Sequence, residues 1–338
     1  MNNYTKSILT LFIIIIIIII IVLNIELYCF LNKKSFHEVI DSKVYNKLEL
    51  LEIENNNSVN LKDYEKGYQI MKKSKIVIGG LFKDSSKKFD LFKKRMNNLS
   101  KYFKDLQIVI FENDSSDNSR ILLLDWEKKQ SNVHIIKLVD NEFCLLKNNS
   151  AVSYGALSNK RMMLMAQYRN YVKEYTDLYF NDYDYFSIID TDAAGPININ
   201  GLAHSFSVQS TLNWDMISAN GRTGLLFTSG ELKYYDLLAL YNYDKSKEEN
   251  SLNISKLVLY LDSIGNDPIK VDNAFGGFAI YKMSSIKNIN YTPHDGKYIC
   301  EHTIFTNNMK LNGHPNFYIN PKLTFLVGKQ GPDKFGGY

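Results

Sequence analysis

Asp190 and Asp192 stand one residue apart in Ile188-Ile189-Asp190-Thr191-Asp192-Ala193-Ala194-Gly195. Two carboxylates so spaced, directly after an apolar strand-like run, can face one hard cation. Mn2+ or Mg2+ would take oxygens from both carboxylates and from a diphosphate together. A metal held this way neutralises a departing nucleoside diphosphate, the main electrostatic problem in sugar transfer. An isolated Asp-x-Asp is also what a solvated turn at a strand end looks like. The strand before it, and the small Ala-Ala-Gly after it that lets a ligand approach the backbone, favour the binding reading.

A second polar cluster is Phe111-Glu112-Asn113-Asp114-Ser115-Ser116-Asp117-Asn118-Ser119. Its carboxylates and amides can accept from a nucleobase edge or ribose hydroxyls. Ser115, Asp117 and Ser119 equally suit a turn and helix N-cap. Both roles fit together, with Asp117 or Ser119 capping and Glu112 or Asp114 binding. A third set is Arg161 with Arg169-Asn170, eight residues apart on one helical segment. The arginine fork suits a diphosphate, and a surface charge is the plain alternative.

The elements that must position these groups follow from periodicity. Ile76-Val77-Ile78, ending in Gly79-Gly80, reads as a buried strand. Phe89, Phe92, Met96, Leu99 and Phe103 recur at helical spacing. Ile108 to Phe111, a helix from Ser119 to about Lys129, and Val133 to Val139 complete a βαβαβ alternation, which predicts a parallel sheet. A helix over Arg161 to Tyr179 and a strand over Tyr185 to Ile189 follow, and a further helix is expected over Thr303 to Leu311. Both acidic loops fall at strand carboxyl ends, where open α/β sheets bind ligands.

Ile8 to Leu23 is almost wholly apolar. It reads as an uncleaved signal-anchor across residues 1–31, with a short cytosolic tail, rather than a signal peptide, because no small-residue cleavage site follows. Lys6 on one side and Lys33-Lys34 on the other leave the positive-inside rule nearly balanced. Residues 32–74 read as a polar stem and 75–338 as one catalytic domain. With 338 residues, 22% charged and 45% hydrophobic, the chain supports one large α/β domain. A net charge of +4 without a basic stripe argues against nucleic acid as a partner. Cys144 and Cys300 are one conceivable pair and no framework.

The order of motifs resembles the GT-A glycosyltransferases and, more narrowly, the fungal capsule-type mannosyltransferase family (glycosyltransferase family 69). The resembling pieces are Ile76 to Gly80, Glu112 to Asp117, Arg169-Asn170, Asp190 to Asp192, Trp214-Asp215-Met216, Tyr235-Asp236, Phe275 to Tyr281 and Cys300-Glu301-His302. The resemblance implies a GT-A-like, Rossmann-type domain. It implies a metal-dependent transfer of a hexose from a nucleotide sugar to a glycan or glycoprotein hydroxyl, with GDP-mannose as the narrower donor. Asp190 and Asp192 would hold the metal and diphosphate. Glu112 and Asp114 would lie near the base or ribose. Gly276-Gly277 would line the acceptor, and Trp214, Asp215 and Asp236 would contribute to substrate binding. Glu301 would open a helix facing the acceptor, as a base in an inverting enzyme. His302 stands where an Asp is usual and is a candidate third metal ligand. A luminal, Golgi- or ER-like location would follow for a eukaryotic or virus-encoded chain. Two rivals stay open. Another nucleotide-dependent transferase would show a Gly-rich, Lys-bearing loop after the first strand. A silent membrane-tethered glycan-binding protein would not hydrolyse nucleotide sugars.

Overall fold

A computed structural model describes residues 61–137, 158–193, 195–224, 232–240, 267–297 and 299–329, with Ile14, Lys245, Ser246, Glu249, Leu257 and Leu261 singly. The apolar run of the expected anchor (Ile14 apart), most of the expected stem, Cys144 and Ala194 lie outside the described residues. Among the described residues no helix is long and apolar enough to cross a membrane. The chain divides into two compact units, Met1–Leu51 and Glu52–Tyr338. The second is described below.

Its first half is the expected alternation. Strands β1 (Lys75–Phe82), β2 (Asp105–Glu112), β3 (Val133–Lys137) and β4 (Tyr185–Asp190) are linked through helices α2 (Phe89–Ser100), α3 (Ser119–Lys129) and α4 (Asn159–Tyr179). A short helix α1 (Leu61–Lys73) precedes them. The strands pair in parallel in the order β3-β2-β1-β4. Strand order therefore reverses at the β1/β4 junction, which places the β4 terminus at the switch point where such sheets bind ligands.

The second half is antiparallel and mixed. It contains α5 (Ile199–Ser207), α6 (Gln209–Leu212), β5 (Met216–Gly224), β6 (Leu232–Tyr234), α7 (Leu237–Leu240), β7 (Ile269–Val271), β8 (Phe278–Lys282), α8 (Glu301–Leu311) and β9 (Phe317–Lys329). The sheet continues past β4 as β8-β5-β9-β7, with β6 on β5. β8 runs antiparallel to both β4 and β5. Alternate strand residues face opposite cores, as the two-residue period of a strand requires. Ile76, Ile78, Ile108 and Ile110 pack with Met71, Phe92, Trp126 and Leu202. Val77, Val109 and Phe111 pack with Val172 and Phe305. The result is an α/β/α sandwich, with α1, α2, α3 and α5 on one face and α4 and α8 on the other.

Several element boundaries move. α4 starts at Asn159, because the Ser158 hydroxyl accepts from the Arg161 amide at 3.3 Å. α8 starts at Glu301, two residues before the expected Thr303. The larger change concerns the stem: α1 belongs to the domain, so its folded part begins before Lys75. Tyr64 and Met71 are buried, Tyr68 Oη donates to Asn200 at 2.8 Å, and Lys66 reaches Ser210. The stripe that docks it consists of Tyr64, Gly67, Tyr68 and Met71, which is too polar to stand out as a core pattern.

Gly67 sets how closely α1 approaches α5. A Cβ there would lie 1.8 Å from the Ala203 carbonyl oxygen, which is backbone and cannot rotate away. Helix propensity alone favours alanine over glycine by about 1 kcal/mol. The clash outweighs that gain, since overpacking costs about 1–3 kcal/mol even where side chains can adjust. Gly67→Ala should therefore lower the denaturation midpoint, and truncation at residue 75 should lower it further. A more stable Gly67→Ala protein would show that α1 is not docked as described.

Candidate functional site

At the switch point β4 ends at Asp190. Its amide donates to the Gly277 carbonyl at 2.8 Å, and the Thr191 hydroxyl donates to the Leu81 carbonyl at 2.5 Å. The loop is thus tied to β8 on one side and β1 on the other. The Asp190 side chain is only 19% exposed, while Asp192 is exposed. Asp190 Oδ2 accepts from the Tyr235 hydroxyl at 3.2 Å, and Oδ1 lies 3.8 Å from Arg169 Nη2. Burial and the neighbouring Asp192 push the Asp190 carboxyl up to about 8, with Asp236 and Glu301 adding and Arg169 opposing. Burial and Glu301 push Asp236 to about 7, against the amides of Ala239 and Gly276.

Arg169, on α4, is the cation among these acids and is itself buried. Its Nε is 3.7 Å from Glu301 Oε1, and its Nη2 is 3.4 Å from His302 Nε2. The guanidinium also lies 5.6 Å over the Phe275 ring, which stacks on His302 at 3.6 Å and 14°. Burial, reinforced by Arg169, holds His302 well below its ordinary value, so the imidazole is neutral and its Nε2 accepts. Glu301 and His302 are the first two residues of α8, 7% and 4% exposed. Arg169 Nε and Nη1 and the Asp236 Oδ2 have no hydrogen-bond partner among the described residues.

Asp190 and Asp192 supply the hard oxygen chemistry a divalent cation needs. No group of three or more His, Cys, Asp or Glu side chains converges on a cation position among the described residues. The pair therefore fits a metal whose remaining positions are filled by substrate oxygens and water, the usual habit of Mg2+ with phosphates. His302 Nε2 faces the Arg169 guanidinium, and no third protein ligand joins the pair among the described residues.

The β2-end cluster turns inward. Both Glu112 oxygens are committed, Oε1 to the Ser115 amide at 2.7 Å and Oε2 to Arg120 Nε at 2.5 Å. Asp114, at φ 49°, reaches Arg120 at 3.4 Å and stays partly exposed. Asp117 bonds the amides of Ser119 and Ser86, each at 2.9 Å. Desolvation would raise its carboxyl, but those hydrogen bonds hold it well below the usual range. Asp84 accepts from the Ser116 amide at 2.6 Å and so laces the β1 end to the β2 end. Asp114 is thus the acid of this cluster best placed to meet a ligand, and Glu112 and Asp117 shape its loop.

Of the remaining candidates, some join the site and some do not. Asn170 holds the segment beside α8, accepting from the Tyr291 amide at 2.7 Å. Arg161 is exposed in the first turn of α4, about 12 Å along the helix from Arg169. Gly276 and Gly277 adopt φ 62° and 79°, and a Cβ on Gly276 would lie 2.2 Å from the Ala219 carbonyl oxygen. Their backbone brings β8 against Asp190. The substrate role expected for Trp214 and Asp215 does not match their placement. Trp214 is fully buried, donates to the Ser205 carbonyl at 2.9 Å and packs on Tyr185 and Phe206. Asp215 bonds Ser285 and the Asn316 amide. Both precede β5, at the sheet end opposite Asp190. Tyr235, Phe275 and Asp84 carry roles that no spacing rule marked. Cys300 is a free, buried thiol.

No protein-family model and no curated protein sequence matches the chain. Solved structures that the chain matches include S. aureus TarS, at 14% identity over 77% of this chain and 38% of that one, TM-score 0.42. S. aureus TarS 1–349 in complex with UDP-GlcNAc matches at 13% identity over 78% and 61%, TM-score 0.42. Mannosyltransferase PcManGT from Pyrobaculum calidifontis, in complex with GDP-Man and Mn2+, matches at 9% identity over 88% and 70%, TM-score 0.37. The chain spans 38% to 62% of the TarS chains it matches.

The charge network predicts a coupled pair. Removing one member of a buried ion pair costs about 3–5 kcal/mol, because the other charge is left uncompensated. Arg169→Met should destabilise by that order, and adding Glu301→Gln should recover part of the loss. Denaturant titration of the two single variants and the double variant checks this. Strictly additive losses would mean that the two groups do not interact.

Proposed function

We propose that this protein is a metal-dependent glycosyltransferase that moves a hexose from a nucleotide sugar to a hydroxyl of a glycan or glycoprotein. The observation that carries the reading is convergence at the sheet's switch point. The strand-end pair Asp190 and Asp192 meets Asp236 and Glu301 around a single buried cation, Arg169. Burial and mutual repulsion among these acids push Asp190 and Asp236 up, and a divalent cation held by Asp190 and Asp192 would relieve that repulsion and favour the ionised carboxylate. Asp190 and Asp192 would hold Mn2+ or Mg2+, which when bound supplies charge neutralisation for the departing diphosphate. The β1- and β2-end loops, with Asp114 outward, form the side of the site suited to a nucleoside. GDP-mannose is the narrower donor we propose. An anchor at residues 1–31 would tether the domain, on the luminal side of a Golgi- or ER-like membrane.

Glu301 would act on the acceptor. It opens α8, whose N-terminal dipole favours an anion, and the Arg169 guanidinium lies 3.7 Å from its Oε1. In an inverting reaction it would take the proton of the attacking hydroxyl. In a retaining one it would orient that hydroxyl.

A panel of nucleotide sugars, read by nucleoside diphosphate release with Mn2+ present, tests the reading. One donor should turn over, chelator should abolish turnover, and Mn2+ should restore it. Asp192→Ala should cost about 10²-fold or more, the scale of losing one electrostatic stabiliser of a transition state, with the fold intact because the side chain is exposed. Glu301→Gln should cut turnover about 10²–10⁴-fold if the product anomer is inverted, and otherwise raise the acceptor KM. Full turnover in chelator, or no release from any donor, would refute the assignment.

A further inference from the structure

Asp192 is exposed and sits on a loop, so side-chain packing does not fix its position. What fixes it must act on the backbone that follows. Arg95, on α2, reaches that backbone from beneath the sheet. Its Nε donates to the Gly195 carbonyl at 3.0 Å and its Nη2 to the Ala193 carbonyl at 2.8 Å. The side chain is 6% exposed, and its guanidinium lies 5.2 Å over the Phe325 ring.

The same loop is pinned from β9. The Gly195 amide donates to the Leu326 carbonyl at 2.9 Å, and a Cβ on Gly195 would lie 2.5 Å from Leu326 Cβ. Gly195 is thus pressed between Arg95 and β9. With Asp190 tied to Gly277 and Thr191 to Leu81, residues before and after Asp192 are both clamped. A planar fork that donates to two carbonyls at once is a geometry arginine offers and lysine, a point charge, does not. Burying a guanidinium is costly unless it is hydrogen-bonded, so an apolar side chain would fill this place at less cost if filling were the only need.

We propose that Arg95 is the positioning residue of the Asp190–Asp192 loop: from outside the site, it holds the loop so that both carboxylates address one cation. This rests on the reading of Asp190 and Asp192 as the cation and diphosphate pair. Arg95 touches no reacting group, so its effect should appear in the loop and in cation affinity before it appears in the chemical step.

The test uses the full chain as wild type, Arg95→Met, Arg95→Lys, and Leu99→Ala as a buried control on the same helix. Hydrogen exchange over residues 190–197 reads the loop, and Mn2+ titration by electron paramagnetic resonance reads the site without turnover. In Arg95→Met the loop should exchange faster by about tenfold or more, as expected when one or two hydrogen bonds are lost. Mn2+ affinity should fall about 10–100-fold, the usual cost of removing a group that orients metal ligands. Arg95→Lys should fall between, and Leu99→Ala should lose stability with Mn2+ affinity kept. If Arg95→Met unfolds globally, Arg95→Lys decides: wild-type exchange and affinity in it would overturn the proposal. So would wild-type Mn2+ affinity in a folded Arg95→Met, or an equal loss in Leu99→Ala. A wild-type protein that binds no Mn2+ would instead defeat the reading of the site, and loop exchange would still show whether Arg95 holds the loop.

Discussion

The Arg169 guanidinium cannot shed its proton under any condition in which the protein folds, and it is 3% exposed. A charge so placed must find anions, and the chain supplies them from distant elements: Asp190 at the end of β4 and Glu301 at the start of α8. The ionic contacts of 3.7 and 3.8 Å are longer than hydrogen bonds, so the guanidinium balances several acids and is locked to none. Phe275 and the neutral His302 close the remaining side, one offering a ring face and the other a lone pair. The arrangement joins three elements at one point.

That meeting point depends on the sheet. The parallel half alone would place Asp190 at a switch point with nothing opposite. β8, running antiparallel to β4, carries Gly277 to the Asp190 amide and Phe275 to the arginine. Two consecutive glycines with positive φ turn the chain there, and Ala219 lies too close for a side chain on the first. The Tyr235–Asp236 pair, reached through β5 and β6, closes the site, with Tyr235 on Asp190 and Asp236 at φ 72°. The parallel half and the antiparallel half of the sheet thus share one set of acids.

Much of the parallel half was legible in the sequence because its strands are short unbroken apolar runs and its helices carry clear stripes. Asp190 and Asp192 could be found because a strand led into them. What remained hidden depends on tertiary contact. α1 docks through tyrosines and a glycine, a pattern no hydrophobic count detects. Glu112 looked like a ligand-facing acid, and only the fold shows both its oxygens consumed by Ser115 and Arg120. Trp214 and Asp215 sat in a motif-like triplet, and their side chains serve the far end of the sheet. Tyr235, one of 23 tyrosines, was marked by the resemblance but not by any spacing, and Arg95 is one of many basic residues on α2 and its flanks. Their roles follow from partners about 45 and 100 positions away, beyond what local spacing encodes.

The central claim is that Asp190 and Asp192 hold a cation that in turn holds a diphosphate, opposite Glu301. Crystals grown with Mn2+ and a nucleoside diphosphate, measured at a wavelength where manganese scatters anomalously, address it directly. The account predicts one anomalous peak bonded to carboxylate oxygens of this pair and to diphosphate oxygens, with α8 facing it across Arg169. A diphosphate bound elsewhere would contradict it, for instance in the cavity of about 510 Å³ lined by Lys297, Ile304, Lys310 and Leu311. So would a diphosphate at the β4 end with no manganese beside Asp190 and Asp192.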